Sequence, residues 1–97
     1  MERSIRGDIE NFIDRLTTED HLNHEKKYWN YMRGEGIIDS IRSAIIGNLY
    51  GRIYQYYISR CTHYNYEPSN EELDIFLDIW NRRIITIKSK INKIVNL

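Results

Sequence analysis

Residues 37–61, IIDSIRSAIIGNLYGRIYQYYISRC, decide the fold. Their apolar positions recur at helical spacing. Ile37, Ile38, Ile41, Ile45, Leu49, Ile53 and Tyr56 lie on one face, and Ile46, Tyr50, Tyr54, Tyr57 and Ile58 carry the apolar surface further round the cylinder. Only a narrow stripe stays polar: Asn48, Arg52, Gln55 and Ser59. A helix that is apolar almost all round is covered on several sides. Residues 37–62 are therefore expected to form the central helix of an all-α fold.

Three further segments supply the cover. Over residues 3–16, Ile5, Ile9, Phe12, Ile13 and Leu16 mark one helical stripe. Thr17 and Thr18 then offer an N-cap, followed by Glu19 and Asp20 at the positive end of a helix over 19–33. There Leu22, Trp29 and Met32 are expected to face the core, with Glu25, Lys26 and Lys27 outside. Gly34 and Gly36 terminate it. Pro68 breaks the chain, and Ser69 with Glu72 forms an S-x-x-E capping box. From residue 70 to near the end, Leu73, Leu77, Trp80, Ile84, Ile87, Ile91 and Ile94 alternate steps of four and three, the mark of a coiled-coil seam or a long bundle helix, and Phe76 with Ile75 and Ile79 widens the face in favour of a bundle. The expected architecture is a single domain over 1–97, a small bundle of about four helices. Two short N-terminal helices pack on a long antiparallel helical hairpin.

Composition narrows the function. The 97 residues include seventeen Ile against six Leu, one Val and one Ala, and Asn, Lys and Tyr are frequent. Such residues have A/T-rich codons, which suits a virus, a phage or a low-G+C microbe. Fourteen basic and fourteen acidic residues give no net charge, which argues against non-specific coating of DNA. The spread is uneven: residues 79–97 hold Arg82, Arg83, Lys88, Lys90 and Lys93 with no acid. The lone Cys61 permits no internal disulfide, Met1 is followed by charged residues, and no stretch suits a membrane span. A cytoplasmic protein is the expectation.

No catalytic constellation stands out, and neither a metal nor a cofactor is expected. Asp20, His21, His24 and Glu25 are ligand types for zinc or iron. Their H-x-x-H-E order is neither the H-E-x-x-H of metalloproteases nor the Glu-x-x-His of di-iron bundles, so they read as a solvated polar face. Cys61 and His63 are two apart, a spacing that sends helical side chains to different sides.

Six of the eight tyrosines fall within residues 48–66. Tyrosine and arginine suit protein interfaces, because they bury area and keep a polar tip. Tyr50, Tyr54, Tyr57, Arg60, Tyr64 and Tyr66 are the expected partner-binding set, with packing at the margin of the core as the plainer reading. Ser43, Gly47 and Gly51, four apart, would let another helix come close, from the same chain or a twin. The alternative is nucleic acid, with bases stacking on aromatic rings and Arg52, Arg60, Arg82, Arg83 and Lys88 meeting phosphates.

Residues 66–84, YEPSNEELDIFLDIWNRRI, resemble a segment of the small Hha-like nucleoid modulators of enterobacteria. Tyr66, Glu67, Ser69, Glu72, Leu73, Phe76 and Arg83 carry the resemblance, and Asn81 stands where that family has Asp. It covers about a fifth of the chain and implies a regulator that binds another protein. The functional expectation is a non-enzymatic protein-binding regulator or inhibitor. It would be homodimeric, and an accessory factor of a virus or mobile element acting on a host protein.

Overall fold

A computed structural model describes residues 3–65 and 67–95. Four helices carry the described chain: α1 (Arg3–Leu16), α2 (Glu19–Gly34), α3 (Ile41–His63) and α4 (Asn70–Ile94). No strand occurs among the described residues.

Hydroxyl side chains set three of the four starts. Thr18 accepts from the His21 amide at 3.2 Å, Ser40 from Ser43 at 3.1 Å, and Ser69 from Glu72 at 3.2 Å. Each satisfies an amide that the first helical turn leaves without a partner. The Ser40 cap moves the start of α3 to residue 41 rather than 37. Ile37 then falls in the connection and is 63% exposed, so it is not part of the core face. Gly36 turns the chain after α2 with φ 75°, a conformation that suits glycine.

The buried row of α3 is Ile41, Ile45, Leu49, Ile53, Tyr57 and Cys61. It differs from the expected face at its end, where Tyr57 rather than Tyr56 continues it. Every step is four residues. Since a helix turns by 100° per residue, each step advances the row by about 40°. The core therefore winds around α3 instead of staying on one side, and different partners cover different stretches.

Contacts between named residues give the arrangement. Asp8 meets Arg60 and Phe12 stacks on Tyr56, so α1 runs antiparallel to the C-terminal half of α3. Glu25 meets Asn48 and His21 meets Arg52, so α2 runs antiparallel to its N-terminal half. The two short helices thus follow one another along α3. Tyr57 and Tyr54 meet Phe76, and Tyr50 meets Trp80, which sets α4 antiparallel to α3 as the second arm of a hairpin.

On α4 the buried line is Glu72, Phe76, Ile79, Ile87 and Ile91. The expected seam is shifted: Leu73, Leu77, Trp80, Ile84 and Ile94 pack only partly against the core. Two adjoining apolar rows run along α4, and Phe76 draws its own row inward by engaging three tyrosines. Position 83 continues that line with an arginine, which reaches across to Glu10 and Asp14 of α1.

Phe76 is fully buried, whereas Ile85 is 74% exposed on the same helix. Phe76→Ala should cost about 3–5 kcal/mol in urea unfolding, the range for emptying an aromatic core site. Ile85→Ala should stay within about 0.5 kcal/mol of the parent.

Candidate functional site

The tyrosine row turns inward. Tyr57 is fully buried and stacks on Phe76 at 4.9 Å. Tyr54 meets the same ring edge-on at 5.7 Å, and Tyr50 meets Trp80 at 5.1 Å. Tyr57 offers no surface to a partner in this fold, and Tyr50 and Tyr54 spend much of theirs on α4. The row could be read from sequence, but the helix that covers it could not. Tyr64 stays exposed and holds the Arg60 guanidinium over its ring at 5.3 Å. Tyr66 lies outside the described residues. Burial pushes the Cys61 thiol up, against a side-chain hydrogen bond with Tyr57, so this sulfur is held in its protonated form.

The arginines proposed for phosphate contact are mostly engaged within the chain. Arg60 donates to Asp8 at 2.9 Å and Arg82 pairs with Asp78 at 2.7 Å. Arg83 reaches Glu10 at 2.6 Å and Asp14 at 2.5 Å. Burial alone would lower the Arg83 pKa, but the two carboxylates outweigh it and raise it. Lys88 is exposed on α4. Arg52 sits apart, on the α2 side of α3.

Ser43, Gly47 and Gly51 lie on the outside of the bundle, as do Gln55 and Ser59 in the same four-step row. Two residues along a helix is a rotation of 200°, so this row stays opposite the buried one along the whole of α3. A Cβ built on Gly47 or Gly51 would meet nothing within 4 Å. Among the described residues nothing uses the close approach that Gly47 and Gly51 offer, so the contact expected there is not made inside the monomer.

Beside this row is a hollow of about 600 Å³ between α1 and α3. Gly47 and Gly51 mark one margin, and the stacked pair Phe12 and Tyr56, 4.1 Å between centroids, marks the other. Gln55 and Ser59 continue the glycine margin, and Asn48 and Arg52 form the adjoining row that leads to Tyr56; the four polar residues are the polar stripe of the central helix. This hollow is the candidate site.

Behind it is a buried network that the sequence reading missed. Glu25 is 5% exposed, not on the solvent side of α2. Its carboxylate accepts from Trp29 Nε1 at 2.9 Å and from Asn48 Nδ2, so burial leaves both oxygens bonded. His21 Nε2 lies 3.7 Å from Glu25 and 3.4 Å from an Arg52 nitrogen. Trp29 carried the available signal. An inward indole needs an acceptor for its N–H, and Glu25 stands one turn before it. Arg52 and Asn48 therefore belong both to the hollow and to the tie between α2 and α3.

No protein-family model, curated protein or solved structure matches the chain. The described residues behind the local resemblance to nucleoid modulators include several with structural roles here. Ser69 caps α4, Phe76 fills the core, and Arg83 ties α4 to α1.

Burial lowers the His21 pKa below its ordinary 6.5, with Arg52 and His24 adding to the effect and Glu25 opposing it. The folded state thus prefers the neutral ring. This contribution is complete above pH 6.5 and is lost as pH falls from there through the lowered folded value. The urea midpoint of the parent should fall with acidification over that window, and His21→Asn should flatten that part of the profile.

Proposed function

We propose that this chain is a small protein-binding regulator without catalytic chemistry, and that it docks its partner on the α1–α3 hollow rather than on the tyrosine row. One observation carries the reading. Gly47 and Gly51 stand in mid-helix, exposed, where no contact in the chain needs a missing side chain. A helix-interior glycine costs about 1 kcal/mol relative to alanine. Two in one helix, bordering a hollow, suit an approach from outside the monomer.

The pairing of Arg60, Arg82 and Arg83 with carboxylates supports a protein over a nucleic acid, since phosphate contact would compete with bonds the fold already makes. The composition, rich in Ile, Asn, Lys and Tyr, suits an accessory factor of a virus or mobile element acting on a host protein.

The double variant Gly47→Leu with Gly51→Leu separates fold from function. Its unfolding free energy should equal the parent's or exceed it by about 1–2 kcal/mol, because leucine favours helix over glycine. Proteins retained from host lysate by the parent should be lost from the variant in a quantitative pull-down. Equal retention by both would remove the hollow from the function. Anisotropy with labelled DNA and RNA should show no binding that weakens steeply with salt; such binding would favour nucleic acid instead.

A further inference from the structure

We infer that the α1–α3 hollow takes a helical segment of another protein that presents an acidic side chain to Arg52, an inference that rests on reading this face as a protein-docking surface.

The charge balance of the hollow points to that partner. Arg52 is the one charged residue among those lining it, and no carboxylate is among them. Among the described residues no ion pair joins Arg52 to an acid; its contact is to His21 Nε2 at 3.4 Å, and the Glu25 carboxylate behind that ring is bonded to Trp29 and Asn48. Arg60 and Arg83, by contrast, are paired within the fold. Asn48, Gln55 and Ser59 add polar groups to the same lining. A carboxylate arriving here finds a guanidinium that, among the described residues, is in direct ion pair with no acid.

The same balance weighs against the two other occupants. A second copy docked through the same face would bring an identical lining, which holds no carboxylate to offer Arg52. A nucleic acid needs a track of cations. The next hollow along, which shares Tyr56, is lined by Asp8 and Asp14 with Arg15 as its basic residue. A polyanion that ran on from Arg52 would meet carboxylates whose arginines, Arg60 and Arg83, are already engaged with them, whereas a helix with one acidic residue placed at Arg52 needs no further cation.

The shape favours a helix. The exposed row from Ser43 to Ser59 spans about 24 Å at 1.5 Å per residue. Its i, i+4 ridge is lowered at Gly47 and Gly51, which lets the ridge of a facing helix settle close. The partner would set small residues against the glycines and an apolar residue against Phe12 and Tyr56.

A displayed library of 18-residue helical peptides, randomised along one face, tests this. It is selected on the full-length parent and counter-selected on Gly47→Leu with Gly51→Leu. The expected outcome is enrichment of Asp or Glu over Lys at one fixed position. The winning peptide, made synthetically, should lose about tenfold in affinity when its acid becomes an amide, and no further when Arg52→Gln is added. Arg52→Gln gives this reading even if the glycine variant fails to fold. Groove-dependent peptides with no acidic preference would overturn this inference and leave the docking reading standing. Failure of any peptide to distinguish parent from both variants would overturn the two together. A parent that sediments as a dimer, with a monomeric glycine variant, would make a second copy the occupant and overturn the acidic partner.

Discussion

A row of side chains spaced four apart cannot stay on one side of a helix that needs 3.6 residues per turn, and the architecture here follows from that mismatch. Ile41, Ile45, Leu49, Ile53, Tyr57 and Cys61 wind around α3 as they are buried. One straight partner could not cover such a line. α2 and α1 therefore take successive halves of α3, and α4 covers the tyrosine side. The complementary row at 43, 47, 51, 55 and 59 winds with it and stays outside. Core and open face are two readings of one periodicity.

Much of this could be read in the sequence. Hydroxyl caps and an apolar period place helix ends and faces, and the Ser69–Glu72 spacing located the start of α4 because capping is local. Ser40 is a hydroxyl cap as well, but it has no Glu or Gln three residues on, and Ile37 and Ile38 before it pull a purely apolar reading too far upstream. What was not legible depends on partners distant in sequence. The inward turn of Tyr50, Tyr54 and Tyr57 requires Phe76 and Trp80. The burial of Glu25 requires Asn48, 23 positions away. Gly47 and Gly51 were visible as a close-packing motif, but only the fold shows that no helix of this chain fills it.

Electrostatics in this protein is mostly a matter of assembly. The C-terminal basic segment reads as a patch in one dimension, yet Arg83 spends its charge on two α1 carboxylates and Arg82 on its own helix. Exposed pairs such as Arg82–Asp78 contribute little, of order 0–1 kcal/mol. The Arg83 bridge differs because its guanidinium is half-buried and holds two acids at once, Glu10 partly covered and Asp14 exposed. It also joins α1 and α4, the first and last helices of the chain. The Glu25 network does the same between α2 and α3 with hydrogen bonds in place of charge pairs.

The position of α4 in the chain bears on how the bundle comes together. Arg83 lies 73 and 69 residues from its partners Glu10 and Asp14, farther than the 52 that separate Arg60 from Asp8. Contacts of such separation close late, because more chain entropy is lost before they form. During synthesis the first three helices leave the ribosome before α4 does, and until it arrives the rings of Tyr50, Tyr54 and Tyr57 lack the side chains that cover them. The nascent protein then carries an aromatic face that the finished one conceals, and that interval is when it is most open to aggregation or to a chaperone.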